Sequence, residues 1–275
     1  MLLAGRRWQP RSLDRVVDTF RTSTRVSLIE TDVGFAYVKG MGNPAGLGSL
    51  ASELVCAELA GWYGLEVPDF AVVNVDDLEI PLDPGERVLR GPAFASRAID
   101  IRTADGTDYY LQRLRKPEAL AKLVLFDTWV RNADRCPPLD ALDPDPRYEN
   151  LVFKPVPRGY DLVALDHTHC FTDGDLATDI GDPAITYDDR IYGFFPEFGP
   201  FIADAGLHEA AAQLSLIDDD FVSDVVRSVP REWGLADAER QLLATTISER
   251  ARHVSRNAPR LLARQIGLDF SEGGE

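Results

Sequence analysis

The stretch ENLVFKPVPRGYDLVALDHTHCF, residues 149–171, decides the reading of this chain. The apolar runs 151–154 (LVFK) and 161–165 (DLVAL) flank the Pro/Gly-rich segment 155–160 (PVPRGY), which predicts a β-hairpin. Pairing Lys154 with Leu162 sets Asn150 opposite Asp166 at the open end, about 5 Å apart. One amide carbonyl and one carboxylate at that spacing suit a hard divalent cation such as Mg²⁺, which fills its shell with phosphate oxygens and water. Asp and Asn at strand ends are also ordinary turn formers. A pair that brackets one hairpin, with another carboxylate upstream, is harder to explain by turns alone.

That upstream carboxylate is Asp134. Pro117 opens a helix whose buried stripe is Leu120, Leu123, Val124, Phe126 and Val130, and the helix ends at Asn132-Ala133-Asp134-Arg135. Asp134, just past the helix end, is placed to receive a proton from an attacking hydroxyl. Arg135 beside it offsets local negative charge. The segment 136–149 is a loop rich in Pro and Asp.

Toward the N-terminus, segments 25–30 and 34–39 read as a second hairpin about the turn Thr31-Asp32-Val33-Gly34. Alternation places Phe35, Tyr37 and Lys39 on one face. Lys39 is then either a snorkelling edge lysine or a cation aimed into a cleft. A glycine-rich loop covers 40–48, Ser49 caps a helix to Tyr63, and Gly64 stops it. Glu53 lies beside the packing stripe Leu50, Leu54, Ala57 and Gly61, within reach of Lys39. Its bland role is a favourable charge near a helix start. Strands follow at 70–75 and 92–99. The composition shift near residue 99 divides a β-rich part, 1–98, from a mainly helical part, 99–275. An aromatic cluster at Tyr187, Tyr192, Phe194, Phe195, Phe198 and Phe201 reads as core of the helical part. The last helix starts near Ala236, is interrupted at Pro259, and leads to a disordered tail, SEGGE.

The 275 residues carry 29 Lys+Arg against 45 Asp+Glu, a net charge of −16 that argues against general nucleic-acid binding. Three cysteines, Cys56, Cys136 and Cys170, are too few and scattered for a disulfide framework or zinc ribbon. No apolar run is long enough to cross a membrane, and the start MLLAGRRWQP has the wrong order of charge and apolar residues for a secretory signal. A cytoplasmic location is expected. Only four residues are lysine, Lys39, Lys116, Lys122 and Lys154, so a lysine inside an apolar strand stands out in an arginine-rich background.

A strand lysine, a helix glutamate, a base aspartate, an asparagine and a second aspartate, in that order, form a phosphoryl-transfer set. The stretch ELVCAELAGWYGLEVP (53–68) is similar to the glutamate-bearing helix of the HipA-like kinase family. FDTWVRNADR (126–135) resembles that family's catalytic segment, ENLVF (149–153) its metal-asparagine strand, and LDHTHCF (165–171) its second metal segment. VPREW (229–233) and the final helix resemble its C-terminal end, and the likeness covers roughly residues 20–265. More remotely the chain resembles phosphatidylinositol kinases.

The resemblance implies an α+β, two-lobed protein-kinase-like fold, with a small β-rich N-lobe carrying one helix and a larger, mainly helical C-lobe. It implies ATP between the lobes and Mg²⁺ with it. Lys39 would contact the phosphates, Glu53 would orient Lys39, and Asp134 would be the base. Asn150 and Asp166 would hold the metal. The strand at 94–98, with Phe94, Ala95 and Ser96, would be the hinge meeting adenine through its backbone, and Ser23 and Thr24 would reach the phosphates. The acceptor would be a hydroxyl of a protein Ser/Thr or a small molecule.

Two departures stand out. Cys136 occupies a place where many relatives have His. Asp134 and Asn150 are 16 positions apart, whereas the kinase template has about 5. The intervening 136–149 insertion is an outward loop or a contact for a substrate or protein partner. The glycine-rich 40–48 segment follows Lys39, so it is not a phosphate-covering loop. Two rival readings remain: a pseudokinase or scaffold of the same fold, and a metal-dependent hydrolase using His167 and His169 of the DHTH segment with Asp134 or Asp173.

Overall fold

The computed structural model describes residues 1–172 and 174–267. Asp173 and the SEGGE tail lie outside the described residues. An N-terminal sheet contains β1 (Leu13–Thr19), β2 (Ser27–Thr31), β3 (Gly34–Lys39), β4 (Phe70–Val75) and β5 (Gly91–Arg97). Its order is β1-β2-β3-β5-β4, with every neighbouring pair antiparallel. The β2–β3 hairpin turns where the sequence predicts it, with Thr31 opposite Gly34 and Thr31 Oγ1 donating to Gly34 O at 2.6 Å. Gly34 has φ 108°, which a side chain would resist. β1, which alternates weakly and is mostly exposed, was not expected from the sequence.

Helix α1 (Leu47–Trp62) starts two residues before the expected cap. Gly46 is the N-cap, and Ser49 Oγ donates to Gly46 O at 2.6 Å rather than accepting from a backbone N–H. Its end is as expected: Gly64 takes φ 80° and Leu65 N reaches back to Ala60 O at 3.0 Å. Residues 49–60 of α1 are buried on all sides, so no single stripe describes its packing. One face meets the sheet and the other meets C-terminal helices, which makes the apolar core continuous between the two parts. A smaller cluster, centred on Ile29, Val38, Ala71 and Ala95 and closed by Trp8, covers the opposite face of the sheet.

The C-terminal part holds α2 (Glu118–Val130), the hairpin β7 (Val152–Val156) and β8 (Gly159–Val163), and the helices α5 (Asp204–Ser215), α6 (Asp219–Arg227) and α7 (Asp237–Gln265). β6 (Arg102–Thr103) precedes α2, and the one-turn helices α3 (Leu176–Asp179) and α4 (Pro183–Thr186) lie between β8 and α5. β6, β7 and β8 form a second sheet in that order. α7 runs through Pro259, where a break was expected, and packs on α2, α5 and α6. Pro259 is buried among these packed helices, so tertiary packing outweighs the local preference to break there. Phe195 and Phe198 are buried in the core as expected, whereas Tyr187 is exposed.

The hairpin register differs from expectation by one residue. Val152 pairs Val163, Phe153 pairs Leu162 and Lys154 pairs Asp161. The turn is the two-residue Pro157-Arg158, with Arg158 at φ 70°, rather than the longer 155–160 segment. A tight turn fixes the register from its own end. Continued outward, that ladder sets Asn150 opposite Leu165, not Asp166.

Candidate active site

Lys39 ends β3 and is buried, although it is a cation in a strand. Three partners explain this. Its Nζ is ion-paired with Glu53 of α1, donates to Asp166 Oδ1 at 2.8 Å, and donates to Thr168 Oγ1 at 2.9 Å. Thr168 sits among the same groups, its hydroxyl 2.9 Å from Glu53 Oε1 and 3.0 Å from Asp166 Oδ1. Burial alone would discharge Lys39, but the two carboxylates outweigh it and raise its pKa, so it stays protonated. Burial also disfavours charge on Asp166, yet Lys39 and the hydrogen bonds from Lys39 and Thr168 hold that carboxyl below the usual range. Burial pushes the Glu53 carboxyl up, against the pull of Lys39. Asp166 takes φ 60°, a left-handed conformation uncommon for a residue with a side chain.

The 126–135 segment builds the neighbouring loop through one buried carboxylate. Asp127 Oδ2 accepts from Arg135 Nε at 2.8 Å and Oδ1 accepts from Asn132 Nδ2 at 3.1 Å. Asn132 N also bonds Asp127 O at 2.8 Å, closing α2 after Arg131 turns left-handed at φ 55°. Burial raises the Asp127 carboxyl, and Arg135 and Asn132 oppose that shift. Arg135 is more than a local counter-charge. Its Nη1 donates to Asn150 O and its Nη2 to Leu165 O at 3.2 Å. One buried guanidinium therefore ties the loop to both sides of the open mouth of the β7–β8 hairpin.

Asn150 closes a 3₁₀ turn, Tyr148–Asn150, just before β7. Its Nδ2 donates to Asp134 O at 2.8 Å and to Asp134 Oδ2 at 3.3 Å. The amide nitrogen is thus committed to Asp134, and the amide oxygen is the end left for a cation. Asp134 is also ion-paired with Arg147.

A cavity of about 570 Å³ opens from this cluster between the two parts. Lys39, Glu53, Asp166 and His167 stand at one end, and the walls are largely apolar: Phe20, Val26, Val67, Phe70, Phe94, Ile99 and Ile101. The β3–β5 register puts Lys39 opposite Phe94 and Tyr37 opposite Ser96, and all four line the cavity.

A family model for HipA-like kinases matches residues 23–259. The chain belongs to the HipA-like kinase family. Among solved structures it is similar to CtkA, a proinflammatory kinase of Helicobacter pylori, with a TM-score of 0.57 and 12% identity over 91% of this chain and 94% of that one. It is also matched to HipA of Shewanella oneidensis MR-1, solved with HipB and operator DNA, at a TM-score of 0.39 and 13% identity over 94% and 68% of the respective chains. At such identities the likeness to CtkA concerns the fold. No curated protein matches the sequence.

In this HipA-like kinase, Lys39, Glu53 and Asp166 meet in one cluster, and Asp134 and Asn150 meet in a second. Arg135 links the two through Asn150 and Leu165. The remaining expected residues divide. Phe94 and Ser96 face the cavity, whereas Ala95, between them, belongs to the core on the far side of the sheet. β5 is a central strand paired on both edges, so its backbone is spent within the sheet and is not free to meet a base as a hinge. The free backbone follows it, around Ile99–Ile101. Ser23 is exposed and Thr24 is buried, its hydroxyl 3.5 Å from that of Thr22; Thr22, two residues before Thr24, is the one that lines the cavity.

Sequence reasoning missed Thr168, because the DHTH segment drew attention to its histidines. Those do not form a hydrolase site. β8 ends at Val163, so the segment is not a strand and has no common face for the two rings. His167 is buried edge-on against the Phe126 ring at 5.4 Å, and burial and then Arg135 push its pKa well down. Among the described residues no group of three or more His, Cys, Asp or Glu is arranged to hold a metal ion. A site made of Asn150 and Asp166 uses one amide and one carboxylate, and phosphate oxygens and water would complete it. Also among the described residues, no helix is long and apolar enough to cross a membrane.

Proposed function

We propose that this HipA-like kinase transfers the γ-phosphoryl group of Mg-ATP to a hydroxyl, most readily that of a protein Ser or Thr, with a small-molecule alcohol as the other acceptor class. The observation that carries the reading is the buried Lys39 ion-paired between Glu53 and Asp166 at the head of an apolar cavity. A buried ion cluster is costly to keep for stability alone. A polyanion with an aromatic base matches both ends of this cavity.

The residues fit a bound magnesium ion. The Asp166 carboxylate is held ionised while over a third of its side chain is open, and the Asn150 amide oxygen is the end not used on Asp134. Bound there, the ion would offset charge on the phosphate oxygens. Lys39 binds the phosphates, and Glu53 and Thr168 fix its ammonium. Phe94 and Ile99–Ile101 enclose the base. Asp134 receives the proton as the acceptor oxygen bonds to the γ-phosphorus. The bond from that phosphorus to the bridging oxygen breaks, and its electron pair leaves on ADP. The chain's contribution is positioning and charge neutralisation.

The insertion bears Asp140, Asp143 and Asp145 beside the exposed Leu139 and Leu142, which favours a basic, partly apolar protein acceptor docking there. The test is transfer of radiolabel from γ-labelled ATP to the protein itself and to a panel of proteins, with and without magnesium. Magnesium-dependent labelling supports the reading. A folded protein that neither binds nucleotide nor labels anything is a scaffold.

A further inference from the structure

The insertion after Arg135 returns the chain to where it left. Arg147 N donates to Arg135 O at 3.0 Å, closing the excursion over residues 136–146. Asn150 N donates to Arg147 O at 3.0 Å, so Arg147 opens the very turn that carries Asn150. Its guanidinium is ion-paired with the Asp134 carboxylate. The other two cations nearby, Lys39 and Arg135, are buried, and of these only Lys39, the phosphate contact of the reading above, borders the cavity. Lys39 is buried among Glu53, Asp166 and Thr168, and Arg135 is buried among Asp127, Asn150 O and Leu165 O. The side chain of Arg147 is 50% exposed, and that of its partner Asp134 is 25% exposed. The pair adjoins Asn150, whose Nδ2 donates to Asp134 O at 2.8 Å and to Asp134 Oδ2 at 3.3 Å, and the next residue before Asn150, Glu149, is on the cavity wall.

We infer that Arg147 is a catalytic residue of this kinase: one edge of its guanidinium holds Asp134 and the other contacts the transferring phosphoryl group, and the 136–146 insertion is the arm that delivers it. The inference rests on the phosphotransfer reading above. A guanidinium presents donors along two edges of a rigid plane, so it can bridge a carboxylate and a phosphoryl group at once, which an ammonium does less well. Negative charge spread over the phosphoryl oxygens in the transition state is what such a cation stabilises. In this step only the contacts of Arg147 change.

The test compares Arg147→Ala and Arg147→Lys with the unaltered protein, measuring transfer of label from γ-labelled ATP with magnesium and, separately, ATP affinity by titration. The expected result is a fall in kcat of about 100-fold or more for Arg147→Ala, with ATP affinity nearly unchanged. Arg147→Lys regains part of the rate, and guanidinium ion added to the Ala variant restores part of it. A kcat for Arg147→Ala within about threefold of the unaltered protein, the behaviour of an ordinary exposed ion pair, overturns the inference while leaving the kinase reading intact. Absence of any transfer by the unaltered protein defeats the kinase reading and this inference with it.

Discussion

Thr168 shows how one hydroxyl can organise three charges. It accepts from buried Lys39 and lies within hydrogen-bond distance of buried Glu53 and of the partly open Asp166. Thr168→Val keeps the shape and removes the hydroxyl, leaving buried charged groups short of a partner. Urea unfolding should show a loss of about 1–3 kcal/mol, with phosphotransfer reduced as well; unchanged stability and rate would show that the ion cluster needs no such bridge. Arg135 is the second case. Its pair with Asp127 is wholly buried, so Arg135→Met strands a carboxylate and should cost about 3–5 kcal/mol in the same measurement. Lys39, Glu53 and Asp166 were legible because a lone strand lysine, a helix glutamate and a carboxylate after a hairpin are unusual types in their places. Thr168 was not, because a threonine between two histidines carries no signal until its neighbours across the fold are known, and Arg135 was legible only as a local counter-charge, not as the tie to Asn150 and Leu165.

At the scale of elements, the hairpins and the two site-bearing helices could be read from turn residues and apolar spacing. Register could not: the β7–β8 ladder is set by a two-residue turn whose Arg158 takes a left-handed conformation, which sequence rules assign to Gly or Asn. The start of α1 was misread for a similar reason, since Ser49 bonds a carbonyl and leaves capping to Gly46. Asn150 and Asp166 still flank one mouth because Arg135 spans it, not because the ladder pairs them. One glycine secures that arrangement from outside. Gly193 has φ 71°, and a Cβ there would lie 2.4 Å from Asp127 Oδ2. Gly193→Ala should therefore lower the melting temperature and reduce activity together; an unaffected melting curve would mean that Asp127 can move without cost. The exposed tip of the insertion is different. Replacing Leu139–Asp145 with a short Gly/Ser bridge should leave stability within about 1 kcal/mol, because loop-closure entropy changes slowly with length.

At the scale of the whole molecule, the boundary drawn at residue 99 falls just after β5, yet the apolar core crosses it through α1. Composition can mark where strands give way to helices, but it cannot show that a helix is buried on every side by both parts. A molecule with net charge −16 should lose stability in acid where its paired carboxylates protonate. Asp188 is the clearest contributor away from the cleft. Burial disfavours its charge, but hydrogen bonds from Arg190 and Tyr192 and the nearby Arg131 hold its carboxyl below the usual range. A carboxyl whose pKa is lower in the folded state stabilises the fold above its unfolded value, about 3.9, and that contribution fades as pH falls further. Stability measured against pH should thus drop steeply below about pH 4, and Asp188→Asn should be less stable at neutral pH with a shallower acid decline. A variant with the same acid slope as the unaltered protein would remove Asp188 from that account.

The central claim is that Lys39, Asp166 and Asn150 together serve a magnesium–nucleotide complex from which a phosphoryl group is passed on. Its most direct measurement is magnesium-dependent transfer of label from γ-labelled ATP by the unaltered protein and by Asp166→Asn, both checked for folding by thermal melting. The account predicts transfer by the former, abolished by chelation, and at least about a 100-fold lower rate for the latter. Equal rates in the two folded proteins, or transfer indifferent to magnesium, would contradict it.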